Sequence, residues 1–169
     1  VLESVDPDRE IIFVPDIHLA RYAAEKAKRK VIPWKGFCPT HNWVSAEEIK
    51  RAKAEHPAAR VLAHPECKEE VVALADAVSS TAGMISFANK DEATEYIVAT
   101  ESGILHQLRK QLPGKSFFLA SEDLVCPNMK ATTLEKVLWS LQELQPRITV
   151  REDIGRRAVR ALDVMLALS

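Results

Sequence analysis

The sequence predicts an α/β fold built on parallel sheets, and three observations carry that prediction. Short apolar runs alternate with amphipathic stretches along the whole chain, the pattern of successive strand–helix units. Two loops repeat one another: Cys38-Pro39-Thr40-His41 and Cys126-Pro127-Asn128-Met129 lie 88 residues apart, and each precedes by seven residues a helix-opening hydroxyl, Ser45 or Thr133. The repeat extends upstream, since Glu10 to Asp16 aligns with Glu95 to Glu101 at an offset of 85, and Lys30-Val31-Ile32 with Lys115-Ser116-Phe117. An internal duplication shows architecture before any single motif does. On the same period a third copy would place its cysteine about 50 residues before Val1. The chain is therefore expected to be part of a longer protein, as its opening on Val1 rather than Met also suggests.

Strands are expected at residues 11–14, 31–34, 61–63, 77–79, 96–99 and 116–119, with a weak candidate at 148–150. All are short β-branched or aromatic runs bounded by Pro or polar residues. Ser45-Ala46-Glu47-Glu48 reads as a capping box opening a helix to about residue 55, before Pro57. Thr132-Thr133-Leu134-Glu135 reads the same way for a helix with Leu134, Val137, Leu138 and Leu141 on one face, stopped by Pro146. A last helix from Glu152 carries the stripe Ile154, Ala158, Ala161, Leu162 and Met165. Trp139 lies at helical spacing beside Leu138 and reads as packing, His56 and His106 read as solvated helix residues, and Trp34 and Trp43 offer stacking surfaces.

Composition narrows the function. With 169 residues and 47% apolar content the chain can bury a core. Basic residues number 23 against 24 acidic, with no basic run interleaved with aromatics, so a nucleic-acid surface is not expected. No apolar stretch reaches 18 residues and no signal-peptide pattern is present, which predicts a soluble, cytoplasmic protein without a membrane partner. Three cysteines, an odd number, read as thiols or metal ligands before disulfides.

Ligands of open parallel sheets collect at the carboxyl ends of the strands. There this chain places Asp16 and His18, then His64-Pro65-Glu66-Cys67, then Ser79-Ser80-Thr81, then Thr100-Glu101-Ser102. His64 and Glu66, spaced by a rigid proline, suit an acid/base or substrate-gripping pair. The plainer reading makes Glu66 a carboxylate at the start of a helix near Lys68. Ser80 and Thr81 offer hydroxyls and N–H groups to an anion, or simply cap a helix. Widely separated cysteines are a weak iron–sulfur signal by spacing alone, and the loop repeat strengthens it for Cys38 and Cys126. Cys67 breaks the symmetry and reads as a small buried side chain. Zinc would need four N or S donors, whereas the repeat supplies three equivalent thiols about a pseudo-threefold axis and leaves one corner of a cubane open.

Taken together, Pro15-Asp16 through Leu19-Ala20-Arg21-Tyr22, Trp34 through His41, His64 through Cys67, Ala75-Asp76 through Ser80-Thr81, Thr100 through Ile104, and Cys126 through Lys130 with Thr133-Leu134-Glu135 resemble quinolinate synthase, the A protein of bacterial and archaeal NAD biosynthesis. The resemblance covers a little more than the family's C-terminal half. It implies a triangular assembly of three αβα repeats around a four-iron four-sulfur cluster. Residues 1–40 would be the remainder of the second repeat, 41–127 the third, and 128–169 a C-terminal helical segment packing back on the assembly. It implies Cys38 and Cys126 as cluster ligands, His64 and Glu66 as catalytic and substrate-binding residues, Thr81 as substrate-binding, and Ser80 and His41 close by. The implied reaction condenses iminosuccinate with dihydroxyacetone phosphate to quinolinate, losing phosphate and water with no redox change, with the open iron as Lewis acid. L-aspartate oxidase or aspartate dehydrogenase would be the functional link on the iminosuccinate side. The family's first cysteine, a tyrosine-containing segment and the first His and Ser of its site would lie upstream, so the chain alone is expected to be inactive. His18 and Ala20 stand where the family has Asn and Gly, and the family's Gly near Lys28 is missing, which predicts modest local adjustment. The competing expectation is a non-catalytic α/β module whose thiols and His64 hold a structural zinc, or no metal.

Overall fold

The computed structural model describes residues 1–168. They form two compact units, one of Glu10–Cys126 and one of Val1–Arg9 with the segment from Pro127 onward. The larger unit contains every strand. β1 (Ile12–Phe13) and β2 (Ile32–Pro33) pair in parallel across α1 (Ile17–Ala27). β3 (Arg60–Ala63), β4 (Ala77–Val78), β5 (Glu95–Ala99) and β6 (Ser116–Leu119) form an all-parallel sheet in the order β4-β3-β5-β6.

The second sheet is covered on both faces, as parallel sheets require. Successive strand residues point to opposite sides. Val61, Ala63, Ile97 and Ala99 therefore pack on one side with Val44, with Ile49 and Ala52 of α3 (Ala46–Glu55), and with Val71 of α4 (Glu69–Val72). Leu62, Tyr96 and Val98 pack on the other with Met84 and Ala88 of α5 (Thr81–Lys90) and with Ile104, Leu105 and Leu108 of α6 (Ile104–Gln111). The result is a three-layer αβα arrangement with parallel strands, as the alternating pattern predicts.

Local chemistry fixes the helix starts. Ser45 Oγ accepts the Glu48 N–H at 3.3 Å while Glu48 Oε2 accepts the Ser45 N–H at 2.8 Å, closing the expected capping box on α3. Pro39 occupies the first turn of α2 (Pro39–Trp43), where a missing N–H costs nothing. The Asp16 side chain caps α1. At the other end of α1, Lys28 takes a left-handed conformation with φ of 50°, the geometry that favours glycine. The backbone there keeps its turn even though the sequence supplies a lysine.

The smaller unit carries α7 (Pro127–Lys130), α8 (Leu134–Glu143) and α9 (Glu152–Ala167). Thr133, the helix-opening hydroxyl of the loop repeat, caps α8 by accepting the Lys136 N–H at 3.3 Å, so the third residue of the helix is Lys136 and the capping box expected from Thr132 and Glu135 does not form. Residues 148–150 form no strand. Three β-branched residues have the propensity, but a strand needs a neighbour in register, and the described residues pair none with them. Trp139, expected to pack, is half-exposed. His56 ends α3 and stacks on Phe118 with ring centroids 3.6 Å apart, so it is not a freely solvated residue. Among the described residues no helix is long and apolar enough to cross a membrane.

Candidate metal centre and active site

Both repeated cysteines sit in loops anchored by a buried carboxylate. Asp16 follows β1 and is 2% exposed. Its Oδ1 accepts the N–H groups of His18 and Leu19, both at 2.8 Å, and its Oδ2 accepts the Cys38 N–H at 2.8 Å. Glu101 follows β5 and is 8% exposed. Its Oε2 accepts the Gly103 N–H at 2.7 Å, and its Oε1 accepts the Cys126 N–H at 3.2 Å. Both thiols are half-buried and free of disulfides. Sequence reasoning placed these two carboxylates at the rim without giving them a task. The signal was the aligned block at an offset of 85, which ends on this pair.

The third cysteine is different in kind. Cys67 is 1% exposed, donates its S–H to the Ala99 carbonyl at 3.3 Å, and has its pKa pushed up to about 12 by burial. A thiol so held is protonated and inert, as expected for a packing residue.

Between the cysteine loops lies a histidine–carboxylate cluster. His41, in α2 three residues after Cys38, bonds Glu66 Oε2 through Nδ1 at 3.0 Å and Thr100 Oγ1 through Nε2 at 2.8 Å. A carboxylate only accepts, so Nδ1 carries the proton and Nε2 accepts from the Thr100 hydroxyl. The His64 ring stacks on His41 with centroids 4.3 Å apart and planes 10° from parallel. Its Nδ1 accepts the Glu66 N–H at 3.3 Å, which leaves Nε2 as the donor. Burial lowers the pKa of both rings. For His64, burial and the adjacent His41 together bring it to about 4, against the opposing pull of Glu66. Both imidazoles are neutral at neutral pH.

A pH dependence follows. The unfolded chain takes up a proton on His64 below its ordinary value of 6.5, and the folded chain does not until about 4. Between those values the unfolded state binds more protons, so stability falls as pH drops through that window and returns as it rises. Denaturant midpoints measured from pH 7 to 4 should decline, and H64Q should flatten part of the slope. An identical slope in H64Q would contradict the assignment.

Cys38 Sγ, a His41 ring nitrogen and a Glu66 oxygen all lie within 4.8 Å of one another. Cys126 is outside this group and is linked to it through Glu101 and the neighbouring Thr100. Ser80 and Thr81 follow β4, which pairs with β3 in the register Ala63↔Val78. They stand on the same sheet edge as His64 and Glu66. Both are exposed, and Ser80 Oγ caps α5 by accepting the Gly83 N–H at 3.2 Å. His18 Nε2 bonds Asn42 Oδ1 at 3.0 Å, and its side chain lines a cavity together with Pro65 and Cys67 of the loop after β3.

Gly36 sets the Cys38 loop. A Cβ there would stand 2.6 Å from the Pro15 carbonyl oxygen and 2.8 Å from the Trp34 ring, while the Gly36 carbonyl accepts the Ile17 N–H at 2.8 Å. G36A must push the loop off the α1 start, at a cost of about 1–3 kcal/mol. A Cβ on Gly114 meets nothing within 4 Å, so G114A is the control. Equal unfolding midpoints for the two variants would contradict the tight approach.

The sequence model for the quinolinate synthetase A protein family matches residues 1–167. The chain is 49% identical over 168 residues to quinolinate synthase of Desulforudis audaxviator, covering 99% of this chain and 55% of that protein. It is 47% identical over 168 residues to quinolinate synthase 1 of Methanosarcina acetivorans, with the same coverage. With quinolinate synthase of Geobacter metallireducens it shares 48% over 162 residues, 96% of this chain and 53% of that protein. The chain thus spans about half the length of the curated relatives it matches. A match across nearly every residue, on a chain that carries two equivalent cysteine loops, places it in the quinolinate synthetase A protein family.

Proposed function

We propose that the protein carrying this chain condenses iminosuccinate with dihydroxyacetone phosphate to quinolinate, releasing phosphate and water, with a four-iron four-sulfur cluster held in part by Cys38 and Cys126. The observation that carries this reading is the pair of equivalent loops, each presenting a half-buried thiol whose own N–H is fixed by a buried carboxylate. The donor set fits such a group: thiolates are its usual ligands, and the two loops are related by repeat rather than by a close-spaced run. Within the repeat scheme, residues 1–40 close the second αβα repeat and 41–127 form the third, leaving one further thiolate to another part of the protein. When bound, the cluster supplies a Lewis acid to a substrate oxygen or nitrogen.

The chain's own residues do the rest. Neutral His64 offers its Nε2–H to a substrate oxygen without adding a charge. Glu66 takes a proton on its carboxylate and returns it, while the His41 Nδ1–H holds Oε2 in place and Thr100 fixes the His41 tautomer. The start of α5, with Ser80 and Thr81, receives the anionic groups of the substrate. An oxidase or dehydrogenase acting on aspartate would supply the imine, in the cytoplasm. The test is quinolinate formation from the two substrates under anaerobic conditions. Product that disappears with either substrate omitted supports the reading, and an iron-loaded protein that forms none contradicts it.

A second reading has one observation in its favour. Cys38, His41 and Glu66 form a compact three-donor group of the kind that holds a single zinc ion. In that case the protein would contain zinc without sulfide, and the repeat of the Cys126 loop would have no metal to serve.

A further inference from the structure

We propose that Asp16 and Glu101 are a matched pair of positioning residues for the metal centre, each fixing one cysteine loop through the cysteine's backbone N–H and setting a negative charge beside its thiolate. The inference rests on the cluster reading given above and assigns a task to two residues that reading leaves idle.

The two carboxylates divide their oxygens alike between a helix start and a cysteine, with the Cys126-bound oxygen of Glu101 also accepting the Ser102 hydroxyl at 3.3 Å. One oxygen takes N–H groups at the start of the helix that follows the strand, His18 and Leu19 for Asp16 and Gly103 for Glu101. The other reaches across to the cysteine, 22 residues on for Asp16 and 25 residues on for Glu101. Glutamate, longer by one methylene, stands in the repeat with the wider spacing. A helix cap alone does not require this second bond. α3, α5 and α8 are capped by the hydroxyls of Ser45, Ser80 and Thr133, which serve their own helices. Burying a carboxylate is costly unless it is well hydrogen-bonded, and here each carboxylate is satisfied by a helix start together with one cysteine N–H.

Two physical consequences follow. A cysteine whose N–H is tied to a rigid helix start loses loop freedom, so its thiolate is preorganised to bind and slow to leave. Partners behind the ligands of a metal site typically change affinity by about ten- to a hundredfold when mutated. The negative charge beside the cluster also disfavours adding an electron, because net charge and hydrogen bonding tune cluster potentials.

The test uses the protein that carries this chain, loaded with its cluster anaerobically. D16N and E101Q are compared with D76N, in which the lost carboxylate accepts the Val61 N–H at 2.7 Å but touches no cysteine. D16S is the second variant at the first site, because a serine hydroxyl can still cap the helix while the Cys38 link and the negative charge are both removed. The readouts are the rate of iron loss to a chelator and the midpoint reduction potential. D16N, D16S and E101Q should lose iron about ten- to a hundredfold faster than wild type, with potentials shifted positive, while D76N matches wild type. Wild-type rates and potentials in the Asp16 and Glu101 variants would overturn the inference alone, as would equal iron loss in D76N. A wild-type protein holding zinc without sulfide would overturn the cluster reading and this inference with it.

Discussion

E66Q is expected to slow quinolinate formation by about a hundredfold to ten-thousandfold, the range typical of losing a general acid/base group, while leaving iron content unchanged. The amide has the reach of the carboxylate and can still accept the His41 Nδ1–H that Glu66 Oε2 receives at 3.0 Å. The Glu66 backbone N–H, which bonds His64, is untouched. Only the ability to take up and return a proton is lost. Visible absorbance of the cluster serves as the control for assembly. Normal absorbance with near-normal turnover would reduce Glu66 to a residue that starts a helix and holds His41.

C38S and C126S should each abolish iron and sulfide binding, whereas C67S should keep most of both. Cys38 and Cys126 are half-buried thiols at the ends of equivalent carboxylate-anchored loops. Cys67 is sealed against the Ala99 carbonyl with its pKa raised by burial, so it offers no thiolate to a metal. Its replacement by serine leaves a hydroxyl able to donate the same hydrogen bond. Iron and labile sulfide measured per chain decide the matter, and equal losses in all three variants would show that the loop repeat does not mark the ligands.

The central sheet could be read from the sequence because its strands are buried on both faces and appear as unbroken apolar runs, Val61-Leu62-Ala63 and Tyr96-Ile97-Val98-Ala99. The α3 capping box was equally legible, since all of its chemistry lies within four residues. Residues 148–150 were not, because strand formation depends on a neighbour that local sequence does not describe. At the site, the rim positions of His64, Glu66, Ser80 and Thr81 follow from strand ends alone. The use made of His41 does not: its partners Glu66 and Thr100 lie 25 and 59 residues away, and only the folded sheet brings them together. Asp16 and Glu101 were hidden for the same reason, although the offset of 85 that pairs them was already present in the sequence. The left-handed turn at Lys28 was marked in the sequence only by a missing glycine.

Iron and acid-labile sulfide, measured together after anaerobic purification of the protein that carries this chain, test the shared cluster most directly. A cluster held by Cys38 and Cys126 predicts iron and sulfide in equal amounts, both lost in C38S and in C126S. Stoichiometric zinc without sulfide, retained in C126S and lost in C38S, would contradict it and leave the Cys38, His41 and Glu66 group as the metal site.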